Sequence, residues 1–222
     1  EDFADEVAET YRQLIAECDE KNVEWLQFDE PSLVRDMDDD DKALFHRVYD
    51  RVFADHTGCK VLLQTYFGDV RDVYEDIVNM PFAGIGLDFI EGRQTGQLID
   101  RYGFPGDKVL FAGLVNSKNI WRNHYDNTLK IVRQLRDKKI NVVLSTSCSL
   151  LHVPYTLKHE TKLSQYYLKF FAFAEEKLTE LSELAALAES YNYTELEAYH
   201  RNQELFAGTR DCNSDEVRQR LA

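Results

Sequence analysis

The stretch Ser145-Thr146-Ser147-Cys148-Ser149-Leu150-Leu151-His152-Val153-Pro154 ends the last of five apolar runs in this chain, and polar residues crowd together where the run stops. The same change of character closes Trp25-Leu26-Gln27-Phe28-Asp29-Glu30-Pro31 and Val61-Leu62-Leu63-Gln64-Thr65-Tyr66-Phe67-Gly68-Asp69. It recurs in Ile85-Gly86-Leu87-Asp88-Phe89-Ile90-Glu91-Gly92 and Val109-Leu110-Phe111-Ala112-Gly113-Leu114-Val115-Asn116. Helix-patterned segments separate all five. Apolar runs that alternate with helices read as parallel strands buried on both faces.

Outward from these runs, the pattern predicts strands from about Glu24 to Pro31 and over Lys60 to Phe67, Gly84 to Phe89, Lys108 to Leu114 and Asn141 to Thr146. Before them, Val7, Tyr11, Leu14, Ile15 and Cys18 share one face of a helix over about Asp5 to Asp19. The run Asp38 to Asp41 precedes a helix carrying Leu44, Val48 and Val52. Acidic residues suit a helix N-terminus, so the run reads as a cap and not as a metal cluster. Further helices are expected over Asp69 to Asn79, Thr95 to Arg101 and Asn119 to Lys138. A long helix follows over Ser164 to Ser190, with Leu168, Phe171, Leu178, Leu181 and Leu184 as its apolar positions. Thr194 to Phe206 forms another, and Asn213 with Glu216 resembles a capping box for a final short one.

Strand, helix, strand in this order is an α/β pattern, a partial (β/α)8 TIM barrel of about five parallel strands plus C-terminal helices, in one domain over residues 1–222. Five strands do not close an eight-stranded barrel, and a remnant leaves unpaired backbone at both edges. Either three more strands belong to a parent polypeptide or another chain covers those edges. The chain opens on Glu1 inside an acidic stretch, which reads as a piece of something longer.

Composition narrows the partners. Hydrophobic residues make up 44% of 222, which excludes a disordered chain. A net charge of −14 argues against nucleic acid or an anionic membrane. Lys118, Arg122, Arg133, Arg136, Lys138 and Lys139 form one local basic stretch, read as a solvated helix face. Cys18, Cys59, Cys148 and Cys212 lie far apart with no C-x-x-C pair, the pattern of a reducing, cytoplasmic setting. No signal peptide is visible, and no apolar run is long enough to cross a bilayer.

In such barrels the carboxyl ends of the strands carry the site. Those ends hold Asp29 and Glu30; Thr65, Tyr66 and Asp69; Asp88 and Glu91; Asn116, Asn119, Trp121 and Arg122; Ser147, Cys148 and His152. Asp29-Glu30 reads as an acid–base pair or as a strand-end anchor beside Pro31. Cys148 is a thiolate candidate only with a cation or base nearby, and His152 is the histidine close in sequence; an inert buried thiol is the commoner case. Trp121 could stack on a flat ligand or pack in an interface. The mouths supply one Cys and one His with carboxylates, a poor set for zinc. Gly92 and Gly113 are lone glycines and form no phosphate loop.

Taken together, Gln27 to Pro31, Thr65 to Gly68, Asn116 to Arg122 (a variant of Asp-Gly-Arg-Asn-Ile-Trp) and Ser147 to Pro154 resemble the amino-terminal domain of cobalamin-independent methionine synthase, in order and spacing, over nearly the whole chain. The resemblance implies two (β/α)8 barrels, the first a decayed duplicate of the second. The second holds zinc and transfers a methyl group from 5-methyltetrahydrofolate polyglutamate to homocysteine. This chain then corresponds to the last five strands of the first barrel, and Val217 to Ala222 to the approach to the inter-domain connection. Residues matching the catalytic copy's zinc ligands are Tyr66 and Gly68, Asp88 and Cys148, so the resemblance implies no metal and no cofactor in this chain, with zinc in the catalytic domain of the parent enzyme. Asp29 matches an aspartate that holds the homocysteine amino group in that copy. The basic residues for the polyglutamate tail lie mostly before this segment.

The resulting expectation is a non-catalytic scaffold that braces the catalytic barrel and lines the folate cleft, with Asp29, Tyr66, Asn119, Trp121, Arg122 and His152 as substrate-binding or interface residues. Its partners would be that barrel and, for the parent enzyme, 5-methyltetrahydrofolate polyglutamate and homocysteine. Two rivals stand beside it. One is a stand-alone zinc-dependent methyltransferase in which Asp88, Cys148 and His152 gather the metal. The other is a binding module that completes its sheet by self-association.

Overall fold

A computed structural model describes residues 3–54, 58–207 and 219–220. Five strands form one all-parallel sheet in sequential order: β1 (Trp25–Asp29), β2 (Lys60–Gln64), β3 (Gly84–Asp88), β4 (Val109–Val115) and β5 (Asn141–Thr146). Helices α1 (Ala4–Glu20), α2 (Asp39–Val52), α3 (Tyr74–Asn79), α4 (Thr95–Tyr102) and α5 (Tyr125–Asp137) precede or link them. Three more, α6 (Gln165–Leu168), α7 (Ala174–Glu189) and α8 (Glu197–Ala207), follow β5. The expected partial barrel is the observed one. The proposed capping box at Asn213 and Glu216, Cys212 and the segment from Val217 to Ala222 fall wholly or largely outside the described residues.

Period-two alternation sorts the strand residues onto two faces. Phe28, Val61, Leu63, Ile85, Leu87, Leu110 and Ala112 point to the helices and join the main core with Phe45, Tyr49, Tyr74, Ile77, Ile99 and Leu135. The pairing register places Trp25, Gln27, Asp29, Leu62, Gln64, Gly84, Gly86, Asp88, Phe111, Gly113, Val143 and Ser145 on the opposite face. That face is concave. Trp25 on β1 and Phe111 on β4 belong to strands about 14 Å apart in a flat sheet, yet their rings meet edge to face at 5.5 Å. Gly84 sits below them, and a Cβ there would strike Phe111, Trp25 and Leu62. The curl is that of a barrel wall. It ends at β1 and β5, and Val143 on the inner face is 40% exposed.

Several helices depart from expectation. The α1 stripe that buries against the core is Ala4, Ala8, Ile15 with Tyr11 and Cys18, while Val7 and Leu14 stay outward. Asp38 caps α2 by accepting from the Asp41 amide at 2.9 Å, as the acidic run suggested. Residues 71–73 form a turn, closed by the Val73 amide on the Val70 carbonyl, so α3 starts only at Tyr74. The helix expected from Asn119 begins at Tyr125, because Asn116 and Asn119 fold residues 116–121 into side-chain-capped turns. The long helix expected over 164–190 breaks after Leu168. There Phe171 leaves helical pairing to form an antiparallel bridge with Trp121, and α7 restarts with Glu176 reaching back to the Phe173 amide at 3.1 Å.

Candidate functional site

The carboxyl ends of the five strands come to one rim. After β1 and β2, Gln27 Nε2 donates to Asp29 Oδ1 at 2.7 Å and to the Tyr66 hydroxyl at 3.0 Å. Burial first, then the Asp29 charge, pushes the Tyr66 phenol up to about 12, so it is a neutral hydroxyl at neutral pH. Glu30 turns the other way. It leaves the rim and accepts from Tyr49 of α2 at 2.5 Å, and burial raises its carboxyl above the usual range. Asp29-Glu30 is therefore not an acid–base pair: one carboxylate faces the rim and the other anchors a helix.

Phe67 occupies the middle of the rim. Its backbone is left-handed, with φ 68°, a conformation costing a non-glycine residue about 1–2 kcal/mol. That turn sets the ring edge to face against His152 at 5.5 Å and beneath the Lys118 ammonium at 5.3 Å. Lys118 in turn pairs with Glu91 at 2.9 Å, which raises the lysine. Phe67, Lys118 and Gln27 thus tie the rim together, and none was a candidate from sequence. All three lie inside quoted motifs, but no sequence signal marks a phenylalanine with positive φ.

Below the rim the polar groups are spent on holding loops. Asp88 is buried and its Oδ1 accepts from the Ile90 and Glu91 amides at 2.7 and 3.0 Å; burial still raises its carboxyl. Gly92 lies so close that a Cβ there would overlap the Asp88 carbonyl and the Thr95 hydroxyl. Cys148 is buried, and burial pushes its thiol up. Ser117 Oγ accepts from the Cys148 amide at 2.8 Å and lies 2.7 Å from its carbonyl and 3.1 Å from Sγ, which pins the loop after β4 to the loop after β5. A thiol that burial raises above its ordinary value is a poor nucleophile.

The remaining candidates sit on the loop after β4. Asn119 accepts from the Trp121 amide at 3.1 Å, a turn-forming contact. Trp121 is 45% exposed and meets Phe171 edge to face at 5.3 Å. Arg122 donates from Nε to the Lys169 carbonyl at 3.3 Å and lies 3.9 Å from Glu180. The six candidates thus fall into two groups, Asp29–Tyr66–His152 around Phe67 and Asn119–Trp121–Arg122 against the C-terminal helices. Lys118 belongs to the second loop and reaches the first group. The basic stretch is dispersed: Lys138 pairs with Asp100, Arg136 with Glu189, and Arg133 covers the Tyr193 ring.

The donor set does not fit zinc. Tyr66 offers a neutral phenol, Gly68 has no side chain, Asp88 is committed to amides and the Cys148 thiol is raised by burial. Nor does the rival trio assemble, since His152 packs on Phe67. Among the described residues, no three His, Cys, Asp or Glu side chains gather where they could hold an ion. Among those residues too, no helix is long and apolar enough to cross a membrane.

Residues 1–140 match the family model described as "Cobalamin-independent synthase, N-terminal domain". The chain is similar to 5-methyltetrahydropteroyltriglutamate–homocysteine methyltransferases throughout its length. It is 48% identical over 222 residues to that of Streptococcus thermophilus, covering 100% of this chain and 29% of the relative. To that of Lactococcus lactis subsp. lactis it is 47% identical over 216 residues, covering 97% and 28%. To that of Campylobacter jejuni subsp. jejuni it is 46% identical over 211 residues, covering 95% and 28%. The chain thus spans less than a third of the length of these relatives. Matched from end to end at nearly half identity, with residues 1–140 fitting the N-terminal domain model, this chain belongs to the cobalamin-independent synthase family.

Proposed function

We propose that this chain works as the later part of the amino-terminal barrel of a cobalamin-independent methionine synthase, a methyltransferase of methionine biosynthesis, and that its own role is structural. It forms one domain, braces the catalytic barrel and lines the cleft that takes 5-methyltetrahydrofolate polyglutamate, while zinc, homocysteine and methyl transfer belong to the catalytic barrel of the parent enzyme. The observation that carries the reading is the state of the rim. Its polar groups are consumed by loop-holding contacts, whereas aromatic and apolar side chains remain outside: Trp121, Leu151, Tyr155 and Tyr166 are 45, 92, 69 and 46% exposed. Exposed apolar groups clustered at one end of a fold suit a contact surface better than a reaction centre. Three unpaired cysteines among the described residues, Cys18, Cys59 and Cys148, suit a cytoplasmic location.

The test is binding in trans. The chain is mixed with a polypeptide carrying the rest of a parent-type synthase, and association is followed by calorimetry. Trp121→Ala and His152→Ala are each expected to weaken it about fivefold or more, as anchor residues do. Equal affinity for both variants and the unaltered chain, or no association at all, contradicts the assignment of this rim as the contact face.

A further inference from the structure

The first turns of α7 carry two ionisable side chains with no solvent exposure, Lys177 and Glu180. Burying a charge is costly unless it is paired and hydrogen-bonded, so their targets matter. Lys177 Nζ donates to the Trp121 carbonyl at 3.2 Å. Glu180 Oε1 accepts from the Asn123 amide at 2.9 Å and lies 3.9 Å from the Arg122 guanidinium. The two side chains therefore grip the backbone on either side of Arg122. Glu180 Oε2 is buried with no hydrogen-bond partner.

The rest of the same segment is held in the same manner. The Arg122 amide donates to the Phe170 carbonyl at 2.9 Å, and the Ala172 amide to the Ile120 carbonyl at 2.7 Å. Asn202 of α8 accepts from the Tyr125 amide at 3.0 Å and donates to the Asn123 carbonyl at 2.9 Å. An irregular segment has to find partners for its backbone outside itself. Here residues 120–125 find them on elements that follow 45 or more positions later.

We infer that Lys177 and Glu180 are positioning residues: with Asn202 they form a clamp by which the C-terminal helices set the conformation of the loop that presents Asn119, Trp121 and Arg122. The inference rests on the reading of those three as contact residues, and extends it by naming what orients them. An apolar pair could still pack α7 against the core. What it could not supply is a fixed donor and a fixed acceptor aimed at two particular backbone groups. The clamp makes the loop dependent on α7 and α8, so anything that shifts these helices would shift Trp121.

The experiment uses the full chain, and reads loop order, not binding. Lys177→Met with Glu180→Leu replaces the charges by apolar groups of similar size. Its melting temperature is expected to fall, since the Trp121 carbonyl and the Asn123 amide lose their partners, so loop order is read under conditions where the variant stays folded. Its Asn123 amide is expected to exchange about tenfold faster, as befits loss of a hydrogen bond to a charged group, relative to the amides of Leu63 and Leu110. Acrylamide quenching of Trp121, read with Trp25→Phe as background, should rise. Glu180→Gln alone keeps a carbonyl oxygen for the Asn123 amide and should preserve its protection. Unchanged Asn123 exchange and unchanged quenching in the double variant overturn the proposal. If the double variant does not fold, Lys177→Met alone decides, with raised Trp121 quenching supporting the clamp and unchanged quenching refuting it. Loop release can be seen whether or not the catalytic half binds, so failure of the clamp is distinguishable from failure of the contact-face assignment.

Discussion

Lys108 shows how much a single side chain carries in this fold. It is 7% exposed, and its ammonium donates to the Met80 and Phe82 carbonyls at 2.6 and 2.9 Å, closing the turn between α3 and β3. Lys108→Met keeps the stem and leaves those carbonyls without a donor, and the expected loss is about 1–3 kcal/mol, read as a lowered urea midpoint at constant slope. Tyr66 gives the pH dependence. Its folded phenol sits at about 12 against an ordinary 10. Below 10 both folded and unfolded chains hold the proton, and the contribution is complete. Between 10 and 12 the unfolded chain loses its proton first, so stability falls as pH rises through that window. Asp29→Asn should bring the Tyr66 titration, followed by ultraviolet absorbance, partway back toward 10; an unmoved midpoint would mean that Asp29 does not act on it. At this scale the sequence was legible where a residue's role follows from type and place, as with the Asp38 cap. It was silent on Phe67, whose left-handed backbone places its ring against His152 and Lys118.

Among the elements, α7 shows most clearly what apolar pattern leaves out. Apolar periodicity assigned Leu178, Leu181 and Leu184 to the apolar positions of one long helix; Leu184 is buried and Leu181 packs beside it, so Leu178 alone of these three is misplaced. The inward positions are Lys177, Glu180, Leu184 and Leu187, and Leu178 is 56% exposed. Hydrophobicity cannot reveal a charged residue turned inward to satisfy another segment's backbone. A pair of truncations measures the difference. Leu184→Ala removes a fully buried side chain packed with Val115, Tyr125 and Leu187, and should cost about 2–5 kcal/mol. Leu178→Ala should stay near the surface norm of about 0.5 kcal/mol. Comparable losses from chemical denaturation would place the helix in the rotation that periodicity suggested. The strands were read more faithfully, with four of five centred as expected, because apolar runs between turn signals are a local property. Their helices were blurred wherever Asn turns or a long-range bridge replaced helical pairing, as at 116–124 and 169–173.

Among the described residues the chain is a curved parallel wall with an outer helix layer, a concave inner face and no further strand beside β1 or β5. This much was legible before any coordinates, since the alternation of buried runs and helices admits few other folds. The convergence of polar residues on one rim followed from the same alternation. What those residues do there did not: Glu30 and Asp88 look like chemistry in sequence and serve as anchors in space. The family assignment and the donor set both bear on the proposal that this barrel wall contributes shape and not a metal site. The most direct measurement is zinc stoichiometry of the purified chain, taken by elemental analysis after saturation with zinc and dialysis against a chelator. The account predicts far less than one equivalent, unaltered by Cys148→Ser. One equivalent of retained zinc that disappears in Cys148→Ser would contradict it.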